Sequence, residues 1–206
     1  MSAGNEQAPV DQGAIDEIGR DVVAAAREEF VRYGIRRANM EEIARRAGVA
    51  RVTVYRRFDS KTTLVRAVVM ADVLDFVERF DRVLFGDGPA AERFADATAL
   101  SVMELRRHPL LTTVLRSDPE TLLTALTVEG QPEFELIKHI LATRITTLIE
   151  AGDIRPGEAS RIAEFILRLL YTTILMPFGE LPGKTEDESR AFAREFIVPL
   201  IINRPA

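Results

Sequence analysis

A glycine at position 48 separates two short stretches of helical periodicity, and this turn constrains the N-terminal part of the chain more than any other feature. Before it, Asn39 is placed to cap a helix, and Glu42 follows three residues later, which is close to a capping box. Gly48 supplies the left-handed conformation in which helices commonly end. After it, Val54 and Phe58 recur at the i, i+4 spacing of a buried helix face. The pattern predicts a helix-turn-helix unit.

Positive charge is concentrated in the same region. Nine basic and three acidic residues lie between Arg32 and Lys61, a balance of +6, whereas the whole chain of 206 residues has a net charge of −5. A patch of this sign attracts the phosphates of nucleic acid. The other interpretation is a solvated, arginine-rich helix face, and charge alone does not decide between the two.

Several motifs in this region occur together and in a typical order. They are A-x-x-x-F-x-x-Y-G at residues 26–34, M-x-x-I-A-x-x-A-G-V at 40–49, T-V-Y-x-x-F at 53–58 and S-K-x-x-L at 60–64. From about Ile15 to Leu74 the sequence therefore resembles the TetR family of transcriptional regulators. The resemblance implies a three-helix DNA-binding head, a recognition helix near residues 51–57, and a fourth helix that begins at Ser60 and leads into an effector-binding body.

The resemblance also implies which positions of the head contact DNA. Bases would be read mainly from Arg51, Val52, Thr53 and Tyr55, and phosphates would be anchored by Tyr55, Arg56, Arg57 and Lys61. Ala50 replaces the Ser or Thr that often caps the recognition helix, and Val52 replaces a frequent glycine. Two interpretations of Val52 stay open: an apolar contact with a thymine methyl group, or a neutral spacer.

The rest of the chain shows helical periodicity and no run of strict alternation, so we predict an all-α protein. We expect a flexible N-terminal arm at residues 1–14, a helix-turn-helix DNA-binding domain at 15–59, and a helical ligand-binding and dimerisation domain at 60–206. At 47% hydrophobic, the chain can bury a small head and one larger core. Helix boundaries are predicted at Gly34, residues 86–89, Pro109, Asp118, Pro132 and Gly152.

The last two predicted helices are the most apolar. The first covers residues 156–176, and Thr185 with Glu188 forms a capping box for the second. Since TetR-like proteins dimerise through their last two helices, we favour a homodimer interface, with ordinary core as the alternative. The predicted interface residues are Ile162, Ile166, Leu169, Leu170, Ile174, Phe192 and Phe196.

An effector site is expected among the body helices, for an unidentified, apolar small molecule. The candidates for its lining are Phe94, Met103, Leu111, Leu122, Leu126, Phe134, Ile137 and Leu141. Core packing is the alternative for each of these side chains.

Other classes of function find little support in the sequence. Cysteine is absent, which excludes disulfides and thiolate metal sites. The two histidines do not complete a zinc site: we predict that His108 caps a helix end and that His139 is structural. No nucleophile elbow or phosphate-binding glycine loop appears, and neither a signal peptide nor a membrane span is predicted. We expect no cofactor, no metal and no enzymatic activity.

These observations together predict a cytoplasmic transcriptional regulator. It would act as a homodimeric, ligand-responsive repressor on a palindromic, double-stranded DNA operator. A constitutive DNA-binding regulator without a small-molecule effector is the alternative, and a helical enzyme is a remote one.

Overall fold

A computed structural model of the chain describes residues 17–176, 178–180 and 182–202. The regular elements within these residues are all helical, which confirms the predicted all-α class. The predicted N-terminal arm and the first two residues of the predicted DNA-binding domain lie outside the described residues.

Within the described residues, the helices follow one another without strands between them. In chain order they are α1 (Glu17–Arg37), α2 (Met40–Arg46), α3 (Arg51–Phe58), α4 (Lys61–Leu84), α5 (Ala90–Arg107), α6 (Pro109–Ser117), α7 (Pro119–Thr127), α8 (Gln131–Glu150), α9 (Ala159–Leu175), α10 (Glu186–Phe192) and α11 (Val198–Ile201). A π-helical turn, Ala193–Ile197, joins the last two.

The chain forms two compact units, which divide between Ala71 and Asp72. We call the described residues up to Ala71 the head and those from Asp72 the body. The division lies inside α4, so this helix contributes to both units. The sequence instead assigns all of α4 to the body, with a boundary between residues 59 and 60.

The core of the head draws on all four of its helices. Fully buried side chains come from α1 (Val22 and Phe30), α2 (Ile43), α3 (Val54) and α4 (Leu64). Burying an apolar side chain of this size contributes about 1.5–3 kcal/mol. The short helices α2 and α3 are therefore stabilised chiefly by packing, because a helix of seven or eight residues is marginal by itself.

The predicted glycines interrupt the helices at slightly different places: Gly34 breaks the helical backbone inside α1, three residues before its end, and Gly48 follows the end of α2 by two residues. Gly34 has a φ of 77° and Gly48 a φ of 68°, so both adopt the left-handed conformation. The predicted capping box at the start of α2 forms only in part. The Asn39 Oδ1 atom accepts from the Glu41 N–H at 2.9 Å, and the Asn39 N–H donates to a buried carboxylate, that of Glu29, at 3.2 Å.

The body encloses a second core between α4, α5, α8, α9 and the C-terminal helices. α8 packs along α9, and α5 packs against both α9 and α10. The buried residues of this core are Leu84, Phe94, Ala97, Ile145, Leu148, Ile154, Ala163, Ile197 and Ile201. A bidentate ion pair also joins α4 to α8: Asp81 accepts from Arg144 through both of its carboxylate oxygens, each at 2.7 Å.

The predicted boundaries within the body are mostly confirmed. His108 caps the start of α6, where its Nδ1 atom accepts from the Leu111 N–H at 3.4 Å. At α10, Thr185 and Glu188 form the predicted capping box. Asp118 precedes α7 as predicted, but its side chain makes no capping hydrogen bond.

The end of the chain differs from the single C-terminal helix that the sequence suggests. The π-helical turn between α10 and α11 interrupts the regular hydrogen-bonding pattern.

Among the described residues, no helix combines the length and the apolar character needed to cross a bilayer.

Candidate nucleic-acid interface

The outer face of α3 is the part of the head best suited to contact DNA. Only Val54 and Phe58 of this eight-residue helix are buried. Thr53 is half-buried, and the remaining positions are exposed: Arg51, Val52, Tyr55, Arg56 and Arg57. Burial of one narrow stripe leaves the other residues of α3 on one continuous outer surface. Six of the seven predicted DNA-binding residues belong to this helix.

Two of these side chains contact each other. The guanidinium carbon of Arg51 lies 5.4 Å from the centre of the Tyr55 ring, within the range of a cation–π contact. The contact links positions i and i+4 of the helix and restrains a long, flexible side chain. Arg51 is therefore partly ordered before it meets a ligand. Beside it, Val52 is 72% exposed, which places an apolar side chain among the cations.

The arginines of α2 have a different environment. Glu42 accepts from Arg45 at 2.6 and 2.8 Å and from Arg46 at 2.9 Å. These hydrogen bonds lower the pKa of Glu42 to about 2, and those from Arg45 have the larger effect. Arg46 also lies 3.3 Å from Glu28 and 3.8 Å from Glu29. The positive charge of α2 is thus largely balanced within the head, whereas that of α3 faces outward.

Lys61 has partners that the sequence did not predict. Its Nζ atom donates to the backbone carbonyls of Ile35 at 3.2 Å, Arg36 at 3.1 Å and Ala38 at 2.8 Å. An ammonium group has three N–H donors, so all of them are used. The role of Lys61 as a phosphate anchor remains a prediction. The family pattern marks the residue, but its partners lie 23–26 positions earlier in the chain, where local patterns do not reach.

The predicted dimer interface is only partly exposed. Four of its residues pack against the body core: Ile162, Ile166, Leu169 and Phe192. Leu170 and Ile174 are half-buried, and Phe196 is 45% exposed. The prediction treated the apolar excess of α9 as one surface, whereas the helix has apolar residues on both its inner and outer faces.

The exposed apolar residues near the C-terminus form a different set, which we call the outer apolar set. Its members are Phe165, Leu175, Met176, Phe178, Phe196 and Leu200. Phe165 and Leu175 lie on the outer face of α9 with Arg168 and Thr172, at the spacing of one helix face. The sequence feature that could have identified this outer face is the buried stripe of α9 opposite to it, which carries the small Ala163 together with Leu167.

The candidate effector-lining residues lie in different environments. Phe94 and Leu141 belong to the body core. Met103 and Leu122 are buried, and three others are half-buried: Leu111, Leu126 and Ile137. These assignments remain predictions.

Phe134, the remaining candidate, packs against an aromatic ring on α9. Its ring lies 5.5 Å from that of Tyr171, edge to face, and Lys138 and Arg168 lie 5.9 and 5.7 Å from its centre. Burial, and then the nearby charge of Glu133, raises the pKa of Tyr171. This combination of rings and charges joins α8 to α9.

Metal-ligating side chains are not grouped in the part of the chain that the structure describes: no three of His, Cys, Asp and Glu come together there as ligands would. His139 is exposed on α8, and Glu135 beside it pairs with Lys138 at 2.6 Å.

Comparison with known proteins places the head in one family. Residues 22–68 match the sequence pattern of the bacterial regulatory proteins of the tetR family. An uncharacterized HTH-type transcriptional regulator of Mycobacterium tuberculosis is 28% identical over 158 residues, which cover 77% of this chain and 80% of the relative.

Solved structures share the fold over most of the chain. The TetR family repressor AlkX from Dietzia sp., implicated in biodegradation of n-alkanes, is 21% identical with a TM-score of 0.67, over 91% of this chain and 96% of that one. The SmeT–triclosan complex is 22% identical with a TM-score of 0.57, over 91% and 93%. With the helix-turn-helix geometry of α2 and α3, these matches show that the head carries the sequence pattern of the tetR family of bacterial regulatory proteins and that the chain shares the fold of solved members of that family.

Proposed function

We propose that the protein is a ligand-responsive repressor that acts as a homodimer on a palindromic operator in the cytoplasm. The observation that carries the proposal is the surface of α3, which exposes Arg51, Tyr55 and Arg56 on a helix anchored by only two buried residues. A helix of this kind fits the major groove, where arginine can bond to guanine and phosphates lie on either side.

The homodimer is supported by the outer apolar set. A monomer would leave Phe165, Phe178 and Phe196 in water at exposures of 44%, 71% and 45%. Exposed aromatic residues at this density are typical of protein interfaces. A two-fold dimer would bury each of them twice and would present two copies of α3 to DNA.

The effector is supported by two of the solved structures that share the fold: one is seen in complex with triclosan, and the other is implicated in n-alkane biodegradation. Both compounds are largely apolar. By analogy, the effector of this protein is an apolar small molecule held by the body helices. Among the candidates, we expect the buried Met103 and Leu122 to contact it.

Regulation would act through the distance between the two copies of α3. Two recognition helices enter successive major grooves on one face of B-DNA when their centres lie about 34–36 Å apart. An effector that binds better to a dimer with another separation shifts the population away from the DNA-bound form. The effector therefore releases the operator without touching the head.

The proposal is tested by selecting genomic fragments with the purified wild-type protein and footprinting those that are enriched. We expect two related half-sites arranged as an inverted repeat, with centres about one helical turn apart or a multiple of it. No preference for any fragment over random DNA, across a range of salt concentrations, would refute it.

A constitutive regulator without an effector is the second candidate, because Phe94 and Leu141 already pack in the body core. Adding a panel of apolar compounds to the operator complex distinguishes the two. Release by one compound supports the ligand-responsive form, and a complex that resists the whole panel favours the constitutive one.

A further inference from the structure

A second group of cations lies at the end of α1. Arg32, Arg36 and Arg37 are all exposed there, and we call them the α1 cation group. The guanidinium carbon of Arg32 lies 6.0 Å from the centre of the Tyr33 ring, which is itself 43% exposed. The α1 cation group shares no member with the predicted DNA-binding residues or with the ion pairs of α2.

Nearby acids do not balance the charge of this group. Glu28 comes one turn before Arg32, but it lies 3.3 Å from Arg46 of α2. Glu29, the next acid, is only 2% exposed. Among residues 17–176, 178–180 and 182–202, no carboxylate forms an ion pair with a member of the α1 cation group. Three unbalanced guanidinium groups close together create a positive potential that attracts phosphate.

Stabilising the end of α1 is the alternative role for these arginines, since cations favour the C-terminus of a helix. Other groups already fill that role. Lys61 donates to the carbonyls of Ile35 and Arg36, at 3.2 and 3.1 Å. Arg37 uses one of its five N–H donors on the Tyr33 carbonyl, at 3.2 Å. The guanidinium of Arg36 and the other donors of Arg37 therefore remain available to an anion.

The backbone places the α1 cation group next to the recognition helix. Gly34 breaks α1 with a φ of 77° and a ψ of 162°, so the residues after it leave the helix axis. The Arg36 carbonyl then lies 3.1 Å from the Lys61 Nζ atom. Lys61 begins α4 and follows Phe58, the last residue of α3, by only three positions. The end of α1 and the end of α3 thus both lie beside the start of α4.

We infer that the α1 cation group binds phosphates along the edge of the major groove that α3 enters. The planar guanidinium fork of arginine matches the oxygens of a phosphate. Phosphate contacts carry no sequence information, but they fix the orientation of a protein on the duplex. The group would therefore hold the head in position while α3 reads the bases. The inference rests on the proposed function in one respect, namely that α3 enters the groove of a DNA duplex.

The substitution Arg36→Met and the double substitution Arg36→Met, Arg37→Met test the inference. Both remove exposed charge and keep the backbone carbonyls that accept from Lys61. The slope of log affinity against log salt concentration should fall in magnitude by about 1.8 for the single variant and about 3.6 for the double one, because each head of the dimer loses one or two phosphate contacts. Between 50 and 200 mM salt, the single variant should therefore lose about 12-fold less affinity than wild type.

The matched control is Arg20→Met. Arg20 is exposed on the same helix, 12 residues before Arg32, which is about 18 Å along the axis. We expect the wild-type salt slope for this variant. Unchanged slopes in both test variants overturn the inference. An equal reduction for Arg20→Met overturns it too, because the effect would then reflect net charge and not a contact at the end of α1.

A measurement on the wild-type protein covers the case in which the variants do not fold. Phenylglyoxal modifies accessible guanidinium groups, and peptide mapping by mass spectrometry locates the modified arginines. We expect bound random duplex DNA to protect Arg36 and Arg37 and to leave Arg20 reactive. Equal modification of Arg36 and Arg37 with and without the duplex overturns the inference.

The random duplex also separates this inference from the proposed function. Phosphate contacts form on any sequence, so protection of Arg36 and Arg37 supports the inference even if no operator is found. A lack of sequence preference refutes only the proposed repressor, and unprotected arginines on a bound duplex refute only the α1 contact. Failure to bind any duplex at low salt refutes both.

Discussion

Helices α3 and α9 are anchored in a similar way but expose different chemistry. α3 buries Val54 and Phe58, and α9 buries Ala163, Leu167 and Thr173. The other positions of α3 present mostly arginine and tyrosine, with Val52 among them, whereas the outer face of α9 presents Phe165 and Leu175 together with Arg168 and Thr172. A helix needs only one stripe for its own core, so the composition of the remaining face indicates the partner. One face fits a polyanion, and the other fits a second protein surface.

The largest effect is expected for a substitution on the outer face of α9. Phe165→Glu places a carboxylate on the outer face of α9, where the proposed dimer would bury it twice. At about 2 kcal/mol per copy, the dimer dissociation constant should rise about 1,000-fold. Sedimentation or light scattering at several concentrations measures it, and operator affinity should fall with it.

The control for this substitution is Leu123→Glu on α7. Leu123 is 54% exposed but lies outside the outer apolar set, so we expect the dimer to persist. If both variants remain dimeric with full operator affinity, α9 is not the interface. Loss of helix content in Phe165→Glu would instead show that Phe165 is needed for the fold.

The next effect tests base reading by α3. Arg51→Ala removes the side chain that lies over the Tyr55 ring. If Arg51 bonds to a guanine edge, its loss should cost roughly 1–3 kcal/mol per half-site and relax the preference at one symmetric position. Binding measurements on operators substituted at each position show this directly. Equal weakening on every sequence would mean that Arg51 contacts phosphate.

A smaller effect compares the arginines of α3 with those of α2. Arg56→Ala should reduce the salt slope by about 1.8, as expected when each head of the dimer loses one phosphate contact. Arg45→Ala is the matched control, because Arg45 is exposed but paired with Glu42, and it should leave the slope unchanged. A reduced slope for both variants would show that the ion pairs on α2 open when DNA binds.

The smallest effect concerns pH. The pKa of Glu42 is about 2, below its ordinary value of 4.5, because Arg45 and then Arg46 donate to it. A lowered pKa in the folded state means that the ionised carboxylate stabilises the head at all pH values above about 4.5. That stabilisation is lost as the pH falls towards 2. Glu42→Gln should therefore have a lower Tm at neutral pH by a small amount, since exposed pairs are weak.

The deciding measurement is the pH dependence of the difference in Tm between wild type and Glu42→Gln. The Tm values of wild type and Glu42→Gln should converge as the pH is lowered from 4.5 to 2, and a difference that stays constant would contradict the account. The substitution also frees Arg45, whereas Arg46 keeps Glu28 and Glu29, so random DNA should bind more tightly to the variant.

The sequence predicts features that depend on neighbouring residues better than features that depend on residues far along the chain. The turn at Gly48, the break in α1 at Gly34 and the capping box at Thr185 depend on residues within one turn, and all three positions were predicted, although α1 continues past Gly34 to Arg37. The exposed face of α3 was predicted because the helix has a single narrow apolar stripe. The contacts of the buried Glu29 carboxylate and of the Lys61 ammonium were missed, because their partners are 10 and 23–26 residues away.

The α9 surface was harder to predict for another reason. Apolar residues occur around much of the helix, so periodicity does not tell which stripe packs inside. Ile162 and Ile166 were assigned to the dimer but pack on the body core, while Phe165 between them is exposed. Only the packing of α8 and α5 against α9 distinguishes the two faces.

Residue-resolved oxidative footprinting of the wild-type protein tests the comparison of α3 and α9 most directly. It would be carried out at high dilution, at a concentration that favours the dimer, and with the operator added. We predict that Phe165 and Phe196 are protected when the concentration rises, with or without DNA, and that Tyr55 is protected only when the operator is present. Protection of Tyr55 by dimerisation alone, or of Phe165 by DNA at constant assembly state, would contradict the division between a DNA-binding face and a self-association face.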